Sequence, residues 1–373
     1  MESTLSKLSF FFLVVILLSS CVQSTPIPSI PRKATPSGID PGTLIRSPKD
    51  GMVMVYIPAG DFLMGSTENE FYLLRNECID NVRDDGQEDN HCSERAADEV
   101  PQHTVYLDAF WIDQTEVTHA MFVEFLNELG DYQDKETEQL FFIFPRDVPP
   151  SHYIFFSDYN GMFNVQPEYE NYPISGVHWV GANAYCQWAG RRLPTEAEWE
   201  KASRGIDGQP YPWGYEDPTC ILANYGGCNG DYPDLSSLPV GSLPDGSSPY
   251  GVMNLAANIS EWVSDYYDQT YFWYSPNHDP QGPEIGNEHV IKGGSFLEPP
   301  TILRSANRWE LDSFPPHVLI PIGFRCAQSL SLEQIHKPTI APIKDYPITP
   351  IPTSTLSPTV APTPSPLDHC LLE

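Results

Sequence analysis

Short apolar runs in the first third of the chain predict β-strands. The β-branched run at residues 52–57 ends at Pro58-Ala59-Gly60, so it predicts a strand followed by a turn. Residues 103–107 and 110–112 predict two further strands that pair with each other. The chain also contains 38 prolines and 25 glycines, which interrupt regular structure. The pattern therefore predicts few regular elements and many ordered loops.

Apolar residues at helical spacing predict three helices. The first runs over residues 118–129, where the Thr118 side chain can accept a hydrogen bond from a backbone N–H of the first turn. The second covers residues 180–189. The third follows Thr195, which has the capping-box spacing to Glu198, so that each side chain can bond the backbone N–H of the other residue.

The N-terminal segment has the pattern of a signal peptide. Lys7 precedes an apolar run, residues 8–18, which is too short to span a bilayer. The run ends at Leu18-Ser19-Ser20-Cys21, which resembles the bacterial lipobox. We therefore expect residues 1–20 to be removed and Cys21 to be lipidated, which would anchor an exported lipoprotein at the bacterial cell surface. An ordinary secretory signal with an incidental cysteine is the alternative.

Two proline-rich segments flank the predicted folded part. Residues 21–46 are rich in Pro and Ser and predict a stalk, and residues 329–373 are rich in Pro and Thr and predict a disordered tail. Frequent proline removes hydrogen-bond donors and favours extended chain, so neither segment can build a core. Residues 47–328 remain, and they are long enough for one large domain.

The chain is strongly acidic. It has 20 Lys and Arg against 50 Asp and Glu, a formal net charge of −30. Nucleic acid and anionic lipid both require a basic face, so neither is expected as a partner. Contact with a membrane is then expected through the lipid anchor only. The charge is compatible with Ca²⁺ binding, although the simple solubility of an exposed protein is the preferred explanation.

The cysteines suit an exported protein. The chain has eight of them and no CxxC pair, so a zinc ribbon or a thioredoxin-like dithiol is not predicted. Cys78 and Cys92 lie in polar sequence at a separation that would close a short disulfide loop. Cys220 and Cys228 have the same character and predict a second short loop.

Four motifs in the second half of the chain occur in a fixed order. They are Arg191–Glu200 (RRLPTEAEWE), Asn254–Trp262 (NLAANISEW), Lys292–Phe296 (KGGSF) and Gly323–Ala327 (GFRCA). Together they resemble the formylglycine-generating enzyme family, also called sulfatase-modifying factors, over about residues 51–327. The resemblance implies an α+β fold with little regular secondary structure, an elaborated C-type-lectin-like architecture. It also implies a disulfide between Cys186 and Cys326, since family members join cysteines at these places.

The resemblance further implies a calcium site in the second motif. In related enzymes this segment binds Ca²⁺ through side-chain and carbonyl oxygens, and the matching residues here are Asn254, Ala257, Ile259 and Glu261. A hard cation requires six to eight oxygens, and a looped backbone supplies carbonyls. Ala257 replaces the usual glycine and Ser260 the usual tryptophan, so Asn254 and Glu261 could instead serve as hydrogen-bonding groups of the loop.

A second calcium site is implied upstream. It would use the Asn224 side chain and the Tyr225 carbonyl, together with an aspartate further along the chain. Asp231 and Asp234 are both candidates, and the alignment leaves open which of them matches.

The catalytic segment departs from the family at the positions that carry its chemistry. Active members bind Cu(I) through two cysteine thiolates, which are soft ligands suited to that ion. Glu298 and Leu303 stand at the matching positions, and Pro321 replaces an asparagine near the reacting centre. Copper is therefore not expected, and enzymatic activity is left open.

The remaining residues of this segment suggest a binding groove. We expect it to be lined by Ser295, Glu298, Arg304, Asn307 and Arg308 and to take a peptide, protein or glycan. An active formylglycine-generating enzyme or divergent oxidase is the first alternative, favoured by the retained Ser295. A calcium-dependent carbohydrate-binding module is the second, favoured by the predicted Ca²⁺ sites and the many Trp and Tyr residues.

Overall fold

The structure is a computed structural model that describes residues 38–81, 97–142, 154–157, 159–228, 236–313 and 321–330, without the side chains of residues 77–81. Several predictions fall outside these residues: the signal peptide, Cys21, the first part of the stalk, the pairing of Cys78 with Cys92, the aspartates Asp231 and Asp234, and the tail after residue 330. In the described part of the chain, no helix is both long and apolar enough to cross a membrane.

The described strands are β1 (Leu44–Arg46), β2 (Val53–Ile57), β3 (Gly60–Met64), β4 (His103–Leu107), β5 (Phe110–Asp113), β6 (Ile154–Ser157), β7 (Met162–Val165), β8 (Ser260–Tyr266), β9 (Glu288–Lys292), β10 (Trp309–Asp312), β11 (Ile322–Phe324) and β12 (Ala327–Ser329). The described helices are α1 (Glu68–Asn81), α2 (His119–Leu129), α3 (Trp179–Trp188) and α4 (Glu196–Arg204), with 3₁₀ turns at Pro244–Gly246, Tyr271–Trp273 and Pro300–Ile302. This mixture of short strands, short helices and long loops confirms the α+β expectation.

Two four-stranded sheets organise the core. The first has the order β1-β2-β5-β12, and the second has the order β10-β9-β8-β11, in which β8 and β11 run parallel. Two-stranded sheets form from β3 with β4 and from β6 with β7. The loop from β9 to β10 carries residues 293–308, so the second sheet holds both ends of the predicted catalytic segment.

The predicted pairing of residues 103–107 with residues 110–112 is wrong. Both runs are strands, but β4 pairs with β3, whereas β5 lies between β2 and β12. The reason is burial: all four residues of β5 are buried, as expected of a central strand covered on both faces. A two-residue link therefore joins strands of different sheets.

Local capping signals set the ends of two helices. The Thr118 hydroxyl accepts from the Met121 backbone N–H at 3.4 Å at the start of α2, and Gly130 ends that helix in the left-handed conformation, with φ of 69°. At the start of α4, Thr195 and Glu198 bond each other's backbone N–H at 3.1 and 2.9 Å. The predicted capping box is confirmed.

Two predicted disulfides are present. Cys186 of α3 is joined to Cys326, with a Cα–Cα distance of 5.6 Å, and Cys220 is joined to Cys228. Cys326 lies between β11 and β12 rather than inside a single terminal strand. The first bridge links the largest helix-lined core cluster to the end of the second sheet.

Candidate functional site

A double glycine turns the chain at the end of β9 and opens the candidate site. Gly293 and Gly294 have φ of 89° and 70°, a region that side chains strongly disfavour. A Cβ on Gly293 would lie 3.3 Å from the Trp199 ring, and one on Gly294 would lie 3.2 Å from Ile302. The turn therefore brings Gly294 directly against the 3₁₀ turn that precedes Leu303.

The side chain of Glu298 closes the next turn. Its Oε2 accepts the Ser295 backbone N–H at 2.7 Å and also accepts the Ser295 hydroxyl. The Glu298 N–H donates in turn to the Ser295 carbonyl at 3.2 Å. Ser295 is fully buried beneath this arrangement. Glu298 thus acts as a turn cap, with one carboxylate oxygen committed to Ser295.

Leu303 is enclosed by small apolar residues. It has no exposed surface and clusters with Ala223, Ala256 and Ala257. The partly buried aromatic rings of Tyr211, Trp213 and Tyr225 pack around this cluster, with Tyr211 and Trp213 stacked at 5.1 Å between ring centroids. Leu303, which the resemblance matches to the second copper-binding cysteine, is therefore part of an apolar core.

Arg304 and Asn307 both bind Glu99, a residue that precedes β4. The Arg304 guanidinium donates to the two Glu99 oxygens at 2.5 and 2.7 Å, and Asn307 Nδ2 donates at 3.2 Å. The Ser66 hydroxyl adds a further bond at 2.8 Å. Burial by itself raises the pKa of Glu99, but the charge of Arg304 and these hydrogen bonds outweigh it, so the pKa is lowered. Glu99 is thus a buried, charged anchor for this segment.

Arg308 is held in a second buried ion pair. Its Nε and Nη2 donate to the two carboxylate oxygens of Glu196, each at 2.9 Å, and Nη1 donates to the Asp98 carbonyl at 3.2 Å. The guanidinium carbon lies 4.5 Å from the Phe272 ring centroid and 5.0 Å from that of Tyr267. The Arg308 guanidinium is fully buried, so this ion pair stabilises the loop from inside the protein.

The five predicted groove residues differ in exposure. Glu298 and Arg304 are partly exposed, whereas Ser295, Asn307 and Arg308 are buried. The structure brings all five into one segment but places the last three below its surface. Leu297, which was not predicted, is 46% exposed and stands beside Glu298.

The first predicted calcium motif is built around an ion pair. The two carboxylate oxygens of Glu261 each accept from Arg325 at 2.7 Å, and Oε2 also accepts Trp199 Nε1 at 2.8 Å. The Asn254 side-chain oxygen accepts the Gly241 N–H at 3.1 Å. The Arg325 guanidinium therefore already neutralises Glu261 and occupies both oxygens that it would offer to Ca²⁺, and as they stand these side chains fit Ca²⁺ poorly.

The backbone of that motif is unusual. Asn254 and Ala257 have φ of 59° and 63°, so the loop adopts left-handed conformations at residues with side chains. Ala257 and Ile259 are fully buried. Asn258, the asparagine of an Asn-Ile-Ser glycosylation pattern, is 1% exposed, so the folded protein does not present it to a modifying enzyme.

The second predicted calcium site also uses its polar groups internally. Asn224 Nδ2 donates to the Ser236 carbonyl at 3.0 Å and to Asn258 Oδ1 at 3.3 Å. The Tyr225 carbonyl, the predicted ligand, accepts the Cys228 backbone N–H at 3.1 Å. Calcium binding at either site stays a prediction.

Sequence reasoning missed the acidic residues that organise the site. Glu99, Glu196 and Glu116 are all buried. Glu116 Oε1 accepts Asn258 Nδ2 at 2.8 Å, and burial raises its pKa to about 8, while Arg325 acts in the opposite direction. The available signal was acidic residues within four positions of β4 and β5 and at the first position of α4.

Comparison with known proteins identifies the family. Residues 42–330 match the profile of the sulfatase-modifying factor enzyme 1-like domain. The formylglycine-generating enzyme of Streptomyces coelicolor is 33% identical over 330 residues, covering 79% of this chain and 94% of that protein. This chain belongs to the formylglycine-generating enzyme family. The recognition made from its four motifs is thereby confirmed.

Other relatives place limits on what the family says about function. A Chlamydia caviae protein named serine/threonine-protein kinase pkn1 is 33% identical over 280 residues, which cover 74% of this chain but 38% of that protein. PvdO from Pseudomonas aeruginosa has a similar structure, with a TM-score of 0.55 and 25% identity over 78% of this chain and 100% of PvdO. Proteins with different names are thus similar to this chain over most of its length.

Proposed function

We propose that this chain is an exported, lipid-anchored and non-catalytic member of the family that binds a peptide or other ligand beside residues 297–304. Family membership supports a fold shared with formylglycine-generating enzymes. The presence of Glu298 and Leu303 where the resemblance expects copper-binding cysteines supports the loss of the oxidase chemistry. The proposal rests on one observation above all: the two thiolate positions hold a turn cap, Glu298, and a core residue, Leu303.

The residues present do not fit a copper ion. Cu(I) binds soft thiolate or thioether ligands. Glu298 offers a hard carboxylate that is already bonded to Ser295, and Leu303 offers no donor atom. The four cysteines whose side chains are described, Cys186, Cys220, Cys228 and Cys326, are all consumed in disulfides. No catalytic step through copper is therefore derived for this chain.

The surface at this site combines apolar and charged groups. Leu297 is exposed, and the partly exposed Glu298 and Arg304 follow it along the chain. The loop closed by the Cys220–Cys228 disulfide lies alongside, because the Gly226 N–H donates to the Glu298 carbonyl at 2.9 Å. Ile221 of that loop is 67% exposed. Such a mixed edge suits an extended peptide, which presents both apolar side chains and backbone polar groups.

The decisive experiment compares oxidation with binding. Purified protein is incubated with Cu(I), oxygen and a cysteine-bearing peptide, and the peptide is then analysed by mass spectrometry for formylglycine. The Streptomyces coelicolor enzyme serves as the positive control. We expect conversion by that enzyme and none by this chain, and formylglycine formation here would overturn the non-catalytic assignment.

Binding is measured by fluorescence anisotropy with the same peptide and its serine counterpart. Because no thiolate participates, both peptides should bind with equal affinity. Leu297→Asp should weaken binding, whereas Ile285→Asp is a matched control, since Ile285 is 86% exposed in a different loop. Equal weakening by both variants, or none by Leu297→Asp, would count against this surface.

The anchor is tested separately. Metabolic labelling with palmitate in a bacterial host should label the chain and leave it in the membrane fraction. Cys21→Ala should remove both the label and the membrane association, because acyl attachment requires the cysteine thiol. Persistence of both in Cys21→Ala would exclude a lipid anchor at this residue.

A further inference from the structure

Three potential metal ligands meet away from the candidate site. Asp108, His278 and Asp279 each offer one donor atom, and these atoms all lie within 4.8 Å of one another. His278 Nδ1 and Asp279 Oδ2 are 3.0 Å apart. None of the three belongs to residues 293–308, so this cluster is independent of the proposed binding function.

The backbone fixes the cluster in place. Residues 277–279 lie along the edge of β4, since the Tyr106 N–H donates to the Asn277 carbonyl and the Asp279 N–H donates to the Tyr106 carbonyl, each at 2.9 Å. The Tyr106 ring stacks on His278 with centroids 4.8 Å apart. Asp279 Oδ1 accepts the Asp108 N–H at 2.8 Å. The three side chains are therefore held together by two chain segments that are distant in sequence.

The charges of the cluster favour a cation. The cluster places two carboxylates, those of Asp108 and Asp279, beside one imidazole, with donor atoms that all lie within 4.8 Å of one another. Arg192 and Lys201 are also in electrostatic range of Asp279. Their hydrogen bonds go to other groups, however: Arg192 binds Glu198, and Lys201 binds backbone carbonyls. A bound cation would relieve the repulsion between the two aspartates.

The donor set points to a borderline transition metal. Ca²⁺ and Mg²⁺ prefer sites made of oxygen alone, whereas Zn²⁺ accepts imidazole nitrogen together with carboxylate oxygen. With metal–ligand distances near 2.0–2.2 Å, a tetrahedral zinc site separates its donors by about 3.4 Å. The three donors lie within 4.8 Å of one another, so metal binding requires the side chains to rotate towards that spacing. The His278 and Asp279 side chains are 39% and 34% exposed, so solvent can reach the remaining coordination position.

We infer that Asp108, His278 and Asp279 form a Zn²⁺ site with three protein ligands and one position open to water or to an external ligand. The metal fastens the 277–279 segment to the end of β4.

The test uses the whole exported chain after treatment with a chelator. Zn²⁺ is titrated against a chromophoric chelator, and Co²⁺ is added separately as a spectroscopic probe of tetrahedral coordination. We expect one equivalent of Zn²⁺ and a Co²⁺ absorption band. Asp108→Asn and His278→Gln should each lower Zn²⁺ affinity at least about tenfold. Ca²⁺ and Mg²⁺ should not compete at equal concentration.

His103→Gln is the matched control. His103 also lies on β4, but its ring contacts Ser275 and Phe272 and it is outside the cluster. This variant should retain the affinity of the parent. The proposal is overturned if the parent binds no Zn²⁺, or if folded Asp108→Asn and His278→Gln proteins both bind as tightly as the parent, which would place the metal elsewhere. Should one variant fail to fold, as judged by circular dichroism, the other decides.

Discussion

The carboxylate of Glu298 is folded onto the backbone of Ser295, with Oε2 2.7 Å from the Ser295 nitrogen. Glu298, which the resemblance matches to one of the copper-binding cysteines, therefore has a structural role here. Leu303, the second such position, packs near the same turn, since a Cβ on Gly294 would lie 3.4 Å from its side chain. Both residues that the resemblance matches to the cysteine pair thus have structural roles: Glu298 caps a turn and Leu303 packs in an apolar core.

Restoring both cysteines should restore copper binding. The double variant Glu298→Cys and Leu303→Cys places two soft donors on the retained turn, so we expect it to bind one Cu(I) in competition with a chromophoric Cu(I) chelator. Loss of the buried leucine should lower the free energy of unfolding by roughly 2 kcal/mol. The control replaces both residues by serine, which has similar size and no sulfur. Copper uptake by the parent equal to that of the double variant would show that the metal binds at another place.

Calcium should be tested through its effect on melting temperature. If the Asn254–Glu261 motif binds Ca²⁺, millimolar Ca²⁺ raises the melting temperature of the parent, because an ion bound only to the folded state stabilises it. Glu261→Gln should lower stability by about 3 kcal/mol without calcium, since it leaves Arg325 buried and uncompensated. The informative quantity is the calcium-dependent increment, which should vanish in this variant. If calcium does not raise the melting temperature of the parent, Glu261 serves as the ion-pair partner of Arg325 and not as a calcium ligand.

The two disulfides should contribute unequally to stability. Cys186–Cys326 spans 140 residues and Cys220–Cys228 spans 8. In the chain-entropy account the long loop contributes about 5 kcal/mol and the short loop about 2–3 kcal/mol. Replacing both cysteines of a pair by serine, followed by urea unfolding, measures each contribution. A larger loss from the short loop would show that native contacts, rather than loop closure, dominate.

Elements with local signals were predictable from the sequence. Thr118 and Gly130 mark the ends of α2, and Thr195 with Glu198 marks the start of α4, because each signal acts within one turn of the chain. The family disulfide followed in the same way from recognised motifs. Which strands pair with each other was not predictable. The position of β5 between β2 and β12 depends on the burial of both its faces, and that burial is set by residues distant in sequence.

The interior of the site could not be predicted for a similar reason. Arg304 and Glu99 are separated by 205 residues, and nothing local to either one indicates the other. Sequence alone shows that Arg308 is charged but not that Glu196 encloses it. As a result, three residues expected to line a groove instead hold the loop together from below.

Asp98 illustrates how this buried charge network responds to pH. Burial raises the pKa of Asp98 to about 7, against the favourable charge of Arg308, while Glu99 and Glu196 raise it further and the Tyr267 hydroxyl bond lowers it. The folded state therefore holds this proton more tightly than the unfolded state, in which the group titrates near its ordinary value of about 4. The stability contributed by protonated Asp98 is present below pH 4 and is lost as pH rises towards 7.

Asp98→Asn should flatten the dependence of stability on pH. The amide cannot ionise, and its oxygen can still accept the Tyr267 hydroxyl, which lies 2.9 Å from the carboxylate. We expect a smaller fall in the free energy of unfolding between pH 5 and pH 8 than in the parent, measured by urea unfolding at each pH. Some fall should persist, because burial also raises the pKa of Asp113 to about 7. Asp217→Asn, at an exposed position, is the control and should follow the parent. An unchanged slope in Asp98→Asn would mean that Asp98 keeps its charge in the folded protein through Arg308.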